Sequence, residues 1–175
     1  RSSVTSDVIE RAPCHVGIVR GRVPDRRHRR ILVVTNGSFF SRAAVELALL
    51  YAEEIGATLT VLYTIEADYQ TADEAEEETE FDENFRRMLA TTALSWSSPL
   101  LMKNPDKVHV IVRSSLTPSA PVIEEVETGL YELLIVGAEA SAVQHRLGVG
   151  YDLDLIVERA PASVLVLVPR IGKTA

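Results

Sequence analysis

Several features that would point to a particular class of protein are missing from this sequence. A single cysteine, Cys14, excludes a disulfide within the chain and fits a reducing compartment. No apolar run reaches the roughly 18 residues that a membrane helix needs, and no signal peptide is visible. There is no Gly-x-Ser-x-Gly turn and no phosphate-binding lysine motif, and the placement of His109 and His145 suggests no metal pair. We therefore expect a protein with no catalytic residues and no metal ligands.

What the chain does contain is typical of one globular domain. It has 175 residues, of which 46% are hydrophobic and 25% are charged, which is enough to bury a sizeable core. The sequence begins with Arg1 rather than Met, and we expect it to be part of a longer protein. Cys14 precedes an apolar segment, so we expect it to be a small buried hydrophobic residue.

Charge is unevenly distributed along the chain. Residues 1–30 hold eight of the 18 basic residues, and residues 66–83 hold ten of the 25 acidic ones. The basic segment could contact phosphates or lipid headgroups, or it could be a solvated linker. Its lack of aromatic residues and the net charge of −7 argue against nucleic-acid binding. The acidic segment reads as a loop that leads into the exposed face of a helix.

Hydrophobic periodicity predicts an α/β protein. Short apolar runs predict strands at residues 30–35, 58–65, 107–112, 130–136 and 163–168. Helical spacing predicts helices at residues 40–55, 75–96, 121–128 and 153–159, with Ser38 as the N-cap of the first. Strands that alternate with helices form a parallel sheet covered on both faces.

The predicted sheet locates a candidate site before any relative is considered. Ligands of such sheets bind at the carboxyl ends of the strands, where the strand order reverses. These ends fall at residues 35–38, 64–66, 113–115 and 137–151. We call this side of the sheet the carboxyl edge. We expect the loop at residues 138–150 to be mobile without ligand, because it is long and rich in small residues.

A tetrapeptide occurs twice in the chain. Glu-Arg-Ala-Pro is found at residues 10–13 and again at residues 158–161, an offset of 148, and an apolar segment follows each copy. An offset of about one domain length suggests that residues 1–19 are the tail end of a preceding similar domain. Residues 20–29 would then be a basic linker and residues 30–170 the domain itself.

The repeat also predicts how the N-terminal segment packs. As the final strand of an absent domain, residues 14–19 would carry unpaired backbone groups and would seek a sheet edge. We expect these residues to pair antiparallel with residues 163–168, within the chain or across a dimer.

The residues at both ends of the predicted domain resemble the universal stress protein family. Ile31–Ser38, read as ILVVTNGS, is similar to that family's first strand and turn, and residues 137–168 are similar to its last third. The resemblance implies a five-stranded parallel sheet of order 3-2-1-4-5, with helices on both faces. The extra N-terminal strand of the preceding repeat would be added to it. The resemblance also implies self-association through the last strand, as a homodimer or a tandem pair.

The family's nucleotide-binding motif is present in a degenerate form. The pattern of three glycines followed by a hydroxyl residue is met at Gly137 and Gly150 but not at Ala140 and Tyr151, and Asn36 stands where the family has an acidic residue. No glycine is found around residues 113–115. The resemblance implies binding of ATP or another adenine nucleotide at nine positions: Asn36, Gly37, Ser38, Thr64, Gly137, Ala140, Arg146, Gly150 and Tyr151.

Two functional interpretations follow. The first is a regulatory, ligand-sensing domain, the second of a tandem pair in the cytoplasmic tail of a membrane transporter such as a cation/proton antiporter or amino-acid permease. The membrane part of the transporter would then be a partner. The alternative is a stand-alone cytoplasmic stress-response protein that binds an adenine nucleotide and hydrolyses ATP slowly at most. Neither interpretation involves nucleic acid.

Overall fold

The computed structural model describes residues 11, 14–20, 28–66, 103–139 and 152–170. Within these ranges one sheet contains β1 (Val16–Arg20), β2 (Arg30–Thr35), β3 (Thr58–Glu66), β4 (Val108–Ser115), β5 (Leu133–Gly137) and β6 (Ser163–Val168). The helices are α1 (Phe39–Ile55), α2 (Ser119–Thr128) and α3 (Leu153–Arg159). The predicted helix at residues 75–96 and the predicted loop at residues 138–150, apart from its first two residues, lie outside the described residues.

The topology confirms the predicted parallel sheet. The strands lie in the order β1-β6-β5-β2-β3-β4, and every neighbouring pair is parallel except β1 and β6. Numbered from β2, the five parallel strands therefore have the expected order 3-2-1-4-5. The chain passes from β2 to β3 and β4 on one side and continues to β5 and β6 on the other. The strand order reverses between β2 and β5, which places the switch point at their carboxyl ends.

Helices cover both faces of the sheet, as the near-continuous apolar strands require. Helix α1 packs its buried residues, which include Ala44, Ala48 and Ala52, against one face of the central strands. Helices α2 and α3 pack on the opposite face, where Val122, Val126 and Ile156 belong to one cluster with Leu32, Val34 and Leu134. Small alanines on α1 let this helix approach the sheet closely.

Several element boundaries differ from the predictions. The strand predicted at residues 130–136 begins three residues later, because Leu130 has a φ of 55° and turns the chain after α2. Strand β4 runs on to Ser115, since it stays paired with β3 as far as Glu66. Helix α2 begins at Ser119, two residues before Pro121. The first turn of a helix tolerates proline, because a residue there has no intrahelical acceptor for an N–H group and the N–H that proline lacks is not needed.

The N-terminal strand confirms the predicted pairing. Strand β1 runs antiparallel to β6 within the same chain, and Val16 pairs with Val168 at one end of the ladder. The backbone N–H of Arg170 donates to His15 Nδ1 at 2.8 Å and extends the contact beyond the ladder. The strand begins at Val16 rather than at residue 14, and the expectation for Cys14 is wrong, because this residue precedes the strand and is exposed.

Glu132 fastens the start of β2 to the start of β5. Its carboxylate accepts hydrogen bonds from the backbone N–H groups of Arg29 and Arg30, the second at 2.9 Å. Desolvation by burial raises the pKa of Glu132. The two N–H donors and the charges of His28 and Arg29 together lower it by more than burial raises it, so the pKa is below its usual value. The charged form is therefore favoured by folding.

We expect Glu132→Gln to lower the free energy of unfolding at pH 7 by about 1 kcal/mol, because a neutral amide accepts these bonds less strongly than a carboxylate does. A carboxyl with a lowered folded pKa stabilises above its unfolded pKa and loses that contribution as the pH falls through the folded value. Urea unfolding at pH 7 and pH 3 should therefore show a smaller penalty at pH 3. An equal penalty at both pH values would contradict this role. Glu124→Gln, at an exposed position of α2, is the control.

Candidate functional site

The carboxyl edge gathers the described part of the predicted site. The turn at residues 36–38 joins β2 to α1, and Gly137 ends β5, so both lie at the switch point. Thr64 lies near the end of β3, on the other side of β2, and is buried. The four remaining predicted residues lie outside the described residues: Ala140, Arg146, Gly150 and Tyr151.

A buried serine organises the turn after β2. The hydroxyl oxygen of Ser41 lies 3.0 Å from the hydroxyl oxygens of both Thr35 and Ser38 and donates to Asn36 Oδ1 at 3.0 Å. Ser41 is only 1% exposed, so these bonds satisfy a polar side chain that burial would otherwise penalise. Ser41 was missed by the sequence analysis, although its position three residues after the predicted N-cap was an available signal.

Asn36 is held in one orientation by this network. Its carboxamide oxygen accepts the Ser41 hydroxyl and also the backbone N–H of Ser38, at 3.1 Å. Because both bonds use the oxygen, the amide nitrogen is the end of this exposed side chain that can donate to a further partner. An amide nitrogen suits an acceptor such as a phosphate, ribose or adenine-ring atom, whereas the acidic residue of the resembled pattern would itself be an acceptor.

Backbone geometry completes the turn. Gly37 has a φ of 82°, a left-handed conformation that side chains disfavour, and the hydroxyl of Tyr63 lies 3.0 Å from the position of a Cβ there. The predicted N-cap is confirmed, since Ser38 Oγ accepts the backbone N–H of Ser41 at 3.3 Å. The Gly37 N–H donates to Thr35 Oγ1 at 3.1 Å. The turn is therefore ordered by its own bonds before any ligand arrives.

Gly137 has a packing reason to be glycine. A Cβ built on this residue would lie 2.1 Å from the carbonyl oxygen of Phe40 and 3.0 Å from the Cα of Ser41. The end of β5 and the first turn of α1 are thus in backbone contact, and no side chain fits between them. This contact sets the distance between the end of β5 and the start of α1 at the switch point.

Helices α2 and α3 both begin at the carboxyl edge, on the same face of the sheet. The backbone N–H of Asp152 donates to Ser119 Oγ at 2.6 Å, which joins the starts of the two helices. The Asp152 carboxylate accepts the N–H of Leu155 at 3.0 Å and caps α3, in agreement with the helix predicted at residues 153–159. A carboxylate therefore already occupies the start of α3, a position that a phosphate would otherwise favour.

Arg113 is the basic residue closest in register to Thr64. The two are paired in the ladder between β3 and β4, and the Arg113 side chain is exposed. Its guanidinium donates to the carbonyl oxygen of Val112 at 3.0 Å. Two of its remaining N–H groups lie on the other terminal nitrogen, so a ligand anion at this edge has a donor available.

The described ranges contain neither a cluster of metal ligands nor a helix suited to a membrane. No group of three or more His, Cys, Asp or Glu side chains lies close enough together there to hold a metal ion. Among the same residues, no helix is both long and apolar enough to span a membrane.

Known proteins share this architecture. The family model described as "Universal stress protein family" matches residues 27–168. No curated protein sequence matches the chain significantly. Solved structures do match it, at identities that show a shared fold.

Three of these structures are informative. A universal stress protein family protein from Arabidopsis thaliana, solved with AMP bound, is 13% identical with a TM-score of 0.56, over 84% of this chain and 95% of that one. A universal stress protein in complex with cAMP is 16% identical with a TM-score of 0.54, over 81% and 97%. A functionally unknown protein from Pseudomonas aeruginosa is 16% identical with a TM-score of 0.59, over 96% of this chain but 57% of that longer one.

Proposed function

The chain belongs to the universal stress protein family, and we propose that it is a regulatory domain that binds an adenine nucleotide at its carboxyl edge and catalyses no reaction. The observation that carries this proposal is the self-bonded turn at residues 36–38, which lies at the switch point and uses the side-chain oxygen of Asn36 for both of its bonds, so that the amide nitrogen can donate to a ligand. A turn already ordered without ligand loses little entropy on binding.

The ligands of two relatives support the chemical class. AMP and cAMP, which those proteins hold, share an adenosine and a single phosphate. In this chain Asn36, Gly37, Ser38 and the backbone of Thr64 would contact the nucleoside, and Gly137 would hold the two sides of the crevice at the required separation. On the sequence pattern, Arg146 and Gly150 would face the phosphate. Ala140 and Tyr151 replace a glycine and a small hydroxyl residue of the family pattern, so the proposal includes weak binding.

The proposal that the domain is not an enzyme rests on the bonds at the described part of the edge. The hydroxyl groups of Thr35, Ser38 and Ser41 bond to one another and to Asn36. No histidine or carboxylate contacts these three hydroxyls within the described ranges, so none of them is paired with a base that could activate it as a nucleophile. A domain that binds without reacting acts by favouring one state of a partner.

A finer proposal concerns that partner. We propose that the domain is cytoplasmic and belongs to the tail of a membrane transporter, such as a cation/proton antiporter or amino-acid permease. The eight basic residues within residues 1–30 support a position near an anionic membrane surface. The complete open reading frame tests this proposal. Membrane helices encoded in it support the attachment, and a frame without them favours the stand-alone nucleotide-binding protein instead.

Thermal unfolding tests the proposed ligand. We expect AMP or cAMP at 100 times its dissociation constant to stabilise the protein by about 2.7 kcal/mol, which corresponds to about 5–10 °C in Tm for a domain of this size. Asn36→Ala should remove at least half of the shift, because it deletes the amide donor. Glu46→Ala, at an exposed position of α1, should leave the shift unchanged. No shift with AMP, cAMP or ATP, with or without magnesium, would contradict the proposal.

A further inference from the structure

Three residues lie side by side at the carboxyl edge, on three neighbouring strands. Thr64 on β3 pairs in register with Arg113 on β4. Asn36 follows Thr35, the last residue of β2, which pairs with the residue before Thr64. Because adjacent strands are about 4.8 Å apart, the backbones of Asn36 and Arg113 are about 10 Å apart, with Thr64 between them. We call Asn36, Thr64 and Arg113 the edge row.

Both ends of the edge row present hydrogen-bond donors. The carboxamide oxygen of Asn36 already accepts bonds from Ser38 and Ser41, which leaves its amide nitrogen for a ligand. A guanidinium group has donors alone. One terminal nitrogen of Arg113 donates to the carbonyl oxygen of Val112, and within the described ranges the other has no bond. A ligand group that lies between the two side chains therefore has to accept hydrogen bonds from both.

The positive charge of Arg113 is not neutralised within the part of the chain that the structure describes. The side chain is exposed and forms no ion pair with a carboxylate of that part. The nearest acidic residue along β3, Glu66, pairs in register with Ser115 instead. Asn36 stands where the family pattern has an acidic residue, so no charge at that position offsets the arginine. An acceptor that carries a negative charge therefore fits the edge row best.

The opposite side of the switch point differs from the family pattern in the other direction. The carboxylate of Asp152 caps α3 and repels an anion at that helix start. In the sequence, Ala140 and Tyr151 replace a glycine and a small hydroxyl residue that would help to hold a phosphate. Compared with the family pattern, this chain therefore has weaker anion-binding groups near α3 and stronger ones along the edge row.

A charge difference of this kind distinguishes a ribose hydroxyl from a ribose phosphate. In dinucleotide-binding α/β folds an acidic residue bonds a ribose hydroxyl, and an arginine nearby accommodates a phosphate at that hydroxyl. An acidic side chain at position 36 would repel such a phosphate. Asn36 can donate to it instead, and Arg113 can form charge-assisted hydrogen bonds with it. The edge row is thus suited to a second phosphate, separate from the one at the 5′ oxygen.

We propose that the preferred ligand is an adenosine with two separate phosphates, one on its 5′ oxygen and one on the 2′ or 3′ oxygen of its ribose, and that Asn36 and Arg113 bind the second phosphate. This inference rests on the proposed function, because the adenosine and the 5′ phosphate occupy the site described there. It adds the class of ligand, and it makes Arg113 a residue that determines specificity.

Calorimetric titration of the full chain with four ligands tests the proposal. AMP tests the proposed function alone, and ADP carries its second phosphate on the first one rather than on the ribose. We expect adenosine 2′,5′-bisphosphate or adenosine 3′,5′-bisphosphate to bind at least tenfold more tightly than AMP and ADP, because only these ligands reach the edge row with a phosphate. If AMP binds and neither bisphosphate exceeds ADP, this proposal is overturned and the proposed function stands. If none of the four binds, both are overturned.

Two substitutions test the assignment to the edge row. Arg113→Gln removes the charge, and Asn36→Asp restores an acidic side chain. Each should lower the ratio of bisphosphate affinity to AMP affinity at least fivefold, through a lost charge-assisted bond or through repulsion. Lys103→Gln is the matched control, since it removes one positive charge from an exposed residue that precedes β4, at the other end of the strand, and it should leave the ratio unchanged. An equal fall for Arg113→Gln and Lys103→Gln would overturn the assignment.

Arginine side-chain NMR signals locate the second phosphate independently of affinity. The Nε–Hε signal that is absent from the spectrum of Arg113→Gln identifies this side chain in the ¹⁵N-labelled wild type. We expect this signal to shift saturably with the tighter bisphosphate and to shift much less with ADP. Equal shifts with the two ligands, or no shift with the bisphosphate, would overturn the proposal.

Discussion

Gly137→Ala should lower the free energy of unfolding by about 3 kcal/mol, the upper part of the usual range for overpacking a well-packed interior. The added Cβ would lie 2.1 Å from the Phe40 carbonyl oxygen and 2.6 Å from its carbon. Both atoms belong to the backbone of the first turn of α1, so no side-chain rotation relieves the overlap. The end of β5 and the start of α1 must separate, which also widens the switch point.

Urea unfolding followed by circular dichroism measures this effect. Gly17→Ala is the matched control, since it also adds one methyl group to a strand glycine. Its Cβ meets only the Leu165 Cδ1 atom, at 3.1 Å, and that side chain can move away. We expect a change below about 1 kcal/mol there. A cost below 1 kcal/mol for Gly137→Ala would show that the contact between β5 and α1 is looser than described.

Ala140→Gly combined with Tyr151→Ser should raise the affinity for AMP at least tenfold, which corresponds to about 1.4 kcal/mol. In the family pattern a glycine permits a left-handed backbone conformation, which costs other residues about 1 kcal/mol and through which N–H groups can turn toward a phosphate. Serine supplies a hydroxyl that donates a charge-assisted hydrogen bond to a phosphate oxygen. Both substitutions restore the family pattern at positions where this sequence departs from it.

Isothermal titration calorimetry of the wild type and the double variant measures the gain. Adenosine, which lacks the phosphate, is the control ligand and should bind both proteins equally. An equal gain for adenosine would place the effect at the nucleoside rather than at the phosphate. An unchanged AMP affinity would contradict the assignment of these two positions to the phosphate site.

Elements defined by local sequence could be predicted closely. Strands β2 and β6 and helix α3 have the predicted bounds, because each is a short apolar run or amphipathic turn closed by a clear stop signal. The predicted start of β5 was wrong, because Leu130 is as apolar as the strand that follows it. Hydrophobicity alone could not show that its backbone is left-handed.

The position of the carboxyl edge was predicted, but the contacts within it were not. Parallel strands bring their carboxyl ends together whatever the side chains are, so the edge and the N-cap Ser38 followed from the sequence. The roles of Ser41 and Gly137 depend on how closely α1 approaches β5, a distance that no periodicity records. The pairing of β1 was predictable because the repeated tetrapeptide marks its counterpart. The exposure of Cys14 was not, since it depends on where the ladder begins.

Titration of AMP into uniformly ¹⁵N-labelled protein, followed by amide NMR spectra, tests nucleotide binding at the carboxyl edge most directly. The proposal predicts saturable shifts at the amides of Asn36, Gly37, Thr64 and Gly137, and none at the C-terminal end of α2, which lies at the opposite end of the sheet. Shifts that do not saturate, or saturable shifts confined to residues away from the carboxyl edge, would contradict it.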